Sequence, residues 1–237
     1  MARPSPVAIM NPPMLISSGL PEDEGHATWT ISIWLIELHA YVDSFEAALY
    51  IYDDYSARIR RAYQNDKDPD IPPRTVFVAA RDAAMTIYHL TTAMRQIKAT
   101  LTYCPTLKEH VDHDMLKLAQ KRLAALAPGI ENLRHAISHA GTANKKFTDP
   151  DTGGKPASWP KGMIEVGNIW HRRYTTTIMT KNGRSRNVSY ELSKDTLDAL
   201  KSITNQYTSA FIPAAIYLSE LPSIQKKEES KSGPTNT

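Results

Sequence analysis

The sequence predicts a mainly α-helical protein, an antiparallel bundle of helices with one β-hairpin near its C-terminal end. Three observations predict it. Long stretches free of Pro and Gly carry apolar residues at helical spacing. Each stretch stops at a strong breaker: "QNDKDPDIPP", "TYCPT" and then Pro128-Gly129. One late segment switches to β-forming residues around an Asn-Gly pair.

The elements follow in order. Residues 1–21 hold five prolines and little periodicity, which predicts a flexible arm. From His26 to Tyr63 there is no Pro or Gly, and Trp29, Ile33, Ile36, Ala40, Ala47 and Tyr50 recur near helical spacing. That predicts one long helix or two nearly continuous ones. A second helix is expected from about 74 to 100, with Val78, Met85, Leu90 and Ile97 as buried positions. A third is expected from about Leu107 through "HVDHDMLKLAQKRLAALA", with Val111, Met115, Leu118 and Leu123 in the core. A fourth, short helix runs up to Gly141, a residue suited to a C-terminal cap because it tolerates positive φ.

Residues 142–162 are rich in Lys, Gly and Pro and read as a loop. The hairpin is expected at about 170–192, in "HRRYTTTIMTKNGRSRNVSYEL", with Asn182-Gly183 in a type I′ turn. Ser193 is placed to cap a last helix, with Asp195 in its first turn, passing through Ala199, Ile203, Phe211 and Tyr217. Pro213 should kink or end that helix. The remainder, 221–237, reads as a disordered tail, so the expected organisation is a single helical domain over 22–220.

Composition narrows the function classes. A net charge of +3 with no dense Lys/Arg tract permits an RNA partner without demanding one. Cys104 is the single cysteine, which excludes an intramolecular disulfide and a Cys-rich zinc site. "MARPSPVAIMNPPM" lacks the apolar core of a signal peptide. The most apolar run, "ISIWLIELHAYV", is too short to span a bilayer. A cytoplasmic protein with no membrane partner is therefore expected.

The chemistry concentrates in "ENLRHAISHAG", Glu131 to Gly141. At about 100° per residue, Leu133, Ala136, Ile137 and Ala140 fall on one side of a helix. Arg134, His135, Ser138 and His139 fall together on the other. Histidine titrates near neutral pH, so His139 suits a general acid or base. The guanidinium of Arg134 stays charged and offers paired donors to phosphate oxygens. The spacing Arg134-x4-His139, with a polar residue after the Arg, resembles the HEPN superfamily (higher eukaryotes and prokaryotes nucleotide-binding).

That resemblance covers six residues as a motif and about 22–141 as a bundle; the β-hairpin is not part of the family's common pattern. It implies an HEPN-like antiparallel bundle that pairs as a homodimer, with Arg134 and His139 of both copies facing one cleft. It implies a metal-independent endoribonuclease, of a toxin or phage-defence kind, leaving 2′,3′-cyclic phosphate and 5′-hydroxyl ends. No cofactor is then required, and RNA and an antitoxin protein are the partners. Glu131, His135 and Ser138 would assist, and Lys145 and Lys146 would lie near the cleft and hold RNA. Many members of the superfamily bind or scaffold without cutting, so a non-catalytic interaction module is the alternative.

Two further readings use the same residues. His135 and His139 stand at i, i+4, and His110 and His113 form an HxxH beside Asp112 and Asp114. If neighbouring helices bring them together, a metal site results, although the Glu that metalloproteases carry between the two His is missing. Alternatively Arg134 pairs with Asp112, Asp114 or Glu131, and His139 merely complements a helix C-terminus. The basic runs "RIRR" (Arg58 to Arg61) and "HRR" (His171 to Arg173), with Tyr63 and Tyr174 near them and Arg184 and Arg186 beside the turn, could guide a phosphate backbone. Asp43, Glu46, Asp53 and Asp54 read as solvent-face charges.

Overall fold

The structure is a computed structural model that describes residues 7–72, 74–130, 168–170, 172–179 and 185–231. It is mainly helical. Helix α1 spans Glu22–Gln64 and α2 spans Thr75–Thr100. A 3-10 turn, Leu101–Tyr103, leads into the short α3, Pro105–His110, and then α4, His113–Leu126. Strands β1 (Asn168–Trp170), β2 (Arg173–Met179) and β3 (Ser185–Glu191) follow, then α5 (Lys194–Ser209) and α6 (Ile212–Lys231). No helix is long and apolar enough to cross a membrane, among the described residues.

Local chemistry sets several boundaries. Glu22, Asp23 and Glu24 open α1 and Arg61 closes it, each charge opposing the helix macrodipole at its end. The Ser193 hydroxyl accepts the Thr196 N–H at 3.2 Å, the expected N-cap of α5. The final helical region is two helices, parted at Ala210 and Phe211, with Pro213 in the first turn of α6 where its missing N–H costs no helical bond. Helix α6 continues to Lys231, through residues that composition assigns to a disordered tail.

The third predicted helix is also two. Val111 is extended (φ −86°, ψ 138°), and Asp112 Oδ1 accepts the N–H groups of Asp114 and Met115 at 3.1 and 2.9 Å. Asp112 thus starts a new helix, and its own N–H donates to the Ala210 carbonyl at 2.9 Å.

The chain divides into two compact units. The first comprises Met1–Ala40, Leu90–Leu123 and Leu200–Thr237. Its core holds Ile31, Leu35, Leu38, Leu90, Met94, Ile97, Leu107, Tyr207 and Phe211. The Tyr207 hydroxyl donates to the Met94 carbonyl at 2.8 Å, which ties α5 to α2. Asn205 brackets the N-terminal segment, accepting from the Met10 N–H at 2.9 Å and donating to the Ala8 carbonyl at 2.8 Å. Leu15 is buried as well.

The second unit comprises Tyr41–His89 and Ala124–Ala199. Val42, Phe45, Leu49, Tyr52, Ala80, Ala83, Ile87 and Tyr190 form its core. The three strands make one antiparallel sheet in the order β1-β2-β3. Thr175 pairs with Asn168 on one side and Ser189 on the other. The Asn182-Gly183 turn lies outside the described residues. The Tyr190 hydroxyl donates to the Ala80 carbonyl, joining β3 to α2.

Burial differs from the sequence expectation in an instructive way. The apolar stripe that marks α1 in the sequence faces solvent: Trp29 is 63% exposed, Ile36 58% and Tyr50 73%. The helix carries a second apolar face, and that face is the buried one. Val78 and Leu118, expected in the core, are also exposed, and Leu116 and Ala119 take the place of Leu118. Leu90, Ile97, Val111 and Leu123 are buried as expected.

Candidate functional site

Arg134 and His139, with Glu131, His135, Ser138, Lys145 and Lys146, lie outside the described residues. The chain leading to them is described. Helix α4 buries Leu116, Ala119 and Leu123, and the buried side continues through Ala127. Pro128 and Gly129 break it, with Gly129 at φ 79°, a conformation that favours glycine. Ile130 donates its N–H to the Ala127 carbonyl at 3.3 Å, is buried, and is helical again.

The described half of the supposed metal cluster is engaged elsewhere. The His110 ring stacks on Tyr217, centroids 3.7 Å apart and planes 20° apart. The His113 Nε2–H donates to the Lys108 carbonyl at 2.9 Å, since a carbonyl can only accept. Asp112 caps α4, and Asp114 lies 3.5 Å from Lys117. No group of three metal-ligating side chains comes together among the described residues.

The basic run Arg58 to Arg61 is partly neutralised. Arg58 pairs with Asp70 and, at 3.8 Å, with Asp54. Arg61 donates from Nε to the Ala57 carbonyl at 3.4 Å. Arg60 instead enters a cleft of about 590 Å³ that it shares with Tyr52, Asp53, Ser56 and Arg172. Arg172 holds an unusual backbone, φ 65°, and anchors it on both sides. Its carbonyl accepts the Leu192 N–H at 2.8 Å, and its Nη1 donates to the Leu192 carbonyl at 3.3 Å. Its Nη2 meets Asp53 Oδ1 at 2.7 Å. Burial pushes the Tyr52 phenol up, and nearby Arg172 opposes that shift.

Asp53 and Asp54 are therefore ion-pair partners, where the sequence suggested solvated charges. Asp43 and Glu46 are exposed as expected. Tyr63 is exposed and lines a neighbouring groove with Ile59, Arg60 and Val76. The meeting of Arg60, Asp53 and Arg172 was not visible in the sequence. Its one local signal is that "RIRR" and "HRR" are both basic, which says nothing of their proximity.

At the other end of α1, Glu24 reaches across to α3. Its Oε2 accepts the Thr106 N–H at 3.0 Å, and its Oε1 accepts the Thr106 hydroxyl at 3.2 Å. Cys104 Sγ lies 3.2 Å from the Thr28 hydroxyl and 3.4 Å from Glu24. Burial pushes the Cys104 thiol up, so this cysteine is not an activated nucleophile.

Compared with protein-family models, with curated proteins and with solved structures, the chain finds no match in any of the three.

Proposed function

We propose that the chain is a metal-independent endoribonuclease of HEPN type, acting as a homodimer. The observation that carries the reading is Arg134-x4-His139, on the polar side of a segment whose other side repeats apolar residues. Buried Ile130 supports it, because Leu133, Ile137 and Ala140 continue the same stripe at i+3, i+7 and i+10. The mainly helical architecture is compatible with an HEPN-like bundle, to which the sheet formed by β1 to β3 would be an addition.

In this reading His139 takes the proton of an RNA 2′-hydroxyl as that oxygen attacks the adjacent phosphorus. The bond to the 5′-oxygen breaks, and that oxygen is protonated by the second His139 of the dimer. Arg134 stabilises the charge on the non-bridging oxygens. Twofold symmetry is what supplies both the acid and the base from one motif. Glu131, His135 and Ser138 orient the pair, and Lys145 and Lys146 hold the backbone. An antitoxin protein would act by covering this cleft.

End-group analysis tests the route. Cleavage in EDTA should leave 2′,3′-cyclic phosphate and 5′-hydroxyl ends. Products with 3′-hydroxyl ends, or activity abolished by EDTA, contradict it.

A non-catalytic interaction module is the second reading, and one observation favours it. Trp29, Ile33 and Ile36 expose large apolar side chains at i, i+4 and i+7 on one face of α1. Such a patch marks an interaction surface more often than a solvated one.

A further inference from the structure

Between Lys98 and Lys117 the chain doubles back on itself within the first compact unit. Helix α2 ends at Thr100, the 3-10 turn and Pro105 redirect the chain into α3, and extended Val111 turns it again into α4. Three lysines on three helices thereby come to one cavity of about 190 Å³. They are Lys98 in the last turn of α2, Lys108 in the last turn of α3, and Lys117 on α4. His113 opens α4 at the same cavity, whose wall includes the buried side chains of Leu101 and Leu116.

The electrostatics are one-sided. No carboxylate lines the cavity among the described residues. Among the described residues Lys98 and Lys108 have no ion-pair partner, and the counter-charge on Lys117 is Asp114 at 3.5 Å, itself 95% exposed. His113 spends its Nε2–H on the Lys108 carbonyl, which fixes the ring beside the lysines. Lysines at helix C-termini are often explained by the macrodipole, and that accounts for Lys98 and Lys108. It does not account for Lys117, nor for the convergence of all three. The Arg60–Arg172 cleft makes an informative contrast, because there Asp53 already answers Arg172.

We propose that this pocket binds a terminal phosphate group, the dianion of a phosphate monoester. Three ammonium groups match a charge near −2 better than the single charge of a phosphodiester. The volume is below the usual range for drug-sized ligands, about 300 Å³ and upward, which fits a small head group entering end-on. The carrier is either a small metabolite or the 5′-phosphorylated end of an RNA, because both present the same dianion. The proposal does not depend on the ribonuclease reading.

Isothermal titration of the full chain tests it in two matched pairs: ribose 5-phosphate against ribose, and a 5′-phosphorylated oligoribonucleotide against the same sequence with a 5′-hydroxyl. In at least one pair the phosphorylated member should bind more tightly. A difference confined to the first pair identifies a small-molecule carrier, and one confined to the second identifies an RNA end. The double variant Lys98→Gln/Lys108→Gln should weaken that binding by roughly tenfold or more, as loss of charge-assisted hydrogen bonds predicts. Lys98→Arg/Lys108→Arg should retain most of it. Both lysines are exposed, so the variants should fold, and their circular dichroism checks this. No preference for the phosphorylated member in either pair overturns the proposal. So does a preference that survives the double Gln variant.

Discussion

Replacing Glu24 with Ala tests the packing of the first unit at a single contact. Helix α3 starts at Pro105, and its N-cap, Cys104, gives no side-chain capping bond. The unsatisfied Thr106 N–H is met instead by Glu24 Oε2, from a distant part of the sequence, and Oε1 takes the Thr106 hydroxyl. Losing an N-cap costs about 1 kcal/mol. Losing the second bond to a carboxylate at a half-buried site adds about 1 kcal/mol. The sum, about 2 kcal/mol, corresponds to a fall in Tm of roughly 4–8 °C for a chain of this size. Glu24→Gln keeps one acceptor oxygen and should retain about half of that stabilisation. Thermal melts followed by circular dichroism measure all three proteins. Combining Glu24→Ala with Thr106→Val should cost less than the sum of the two single changes, because they share a bond. A Glu24→Ala protein melting within 1 °C of wild type, or strict additivity in the double variant, would refute the capping role.

Arg172 and the buried titratable groups offer further checks. Arg172→Gly removes an ion pair that is half exposed and worth at most about 1 kcal/mol, while relieving left-handed strain of about 1–2 kcal/mol. It should therefore be nearly neutral in urea unfolding, whereas Arg172→Val, β-branched at positive φ, should destabilise clearly; a Gly variant worse than the Val variant contradicts this. Burial pushes Cys104, Tyr52 and Tyr207 up, so the folded protein keeps protons that the unfolded chain releases near pH 8.5 and 10. Above those values the unfolded state binds fewer protons, and stability falls as pH rises; below about pH 8 this stabilisation is fully present. Urea midpoints at pH 7.5, 9.5 and 10.5 should decline, and less steeply in Tyr207→Phe; identical profiles for the two proteins would count against the buried-phenol account.

What was legible in the sequence was local. The Ser193 cap, the break at "TYCPT" and the Pro128-Gly129 stop depend on neighbouring residues, and the structure places each where expected. The break at Val111 and Asp112 was not legible, because no Pro or Gly marks it. The Asp112 cap on Asp114 and Met115 is local, but the bond from the Asp112 N–H to the Ala210 carbonyl is one that only the fold brings near. Periodicity found α1 but could not say which of its apolar faces is buried, since a helix with two apolar faces has the same period on both. The Asp53–Arg172 pair and the three-lysine pocket join residues from separate elements, so no spacing rule could reveal them. The candidate catalytic motif is the reverse case, a pattern read wholly from the sequence.

The most direct test of the central claim is the rate of RNA cleavage in EDTA by wild type, Arg134→Ala and His139→Ala, purified identically. Removing a general acid–base group should slow cleavage by a factor of about 10²–10⁴. Wild type should cut and both variants should fall by that order, with unchanged melting temperatures. Equal cleavage by wild type and His139→Ala, or no cleavage of any RNA by wild type, would contradict the ribonuclease reading.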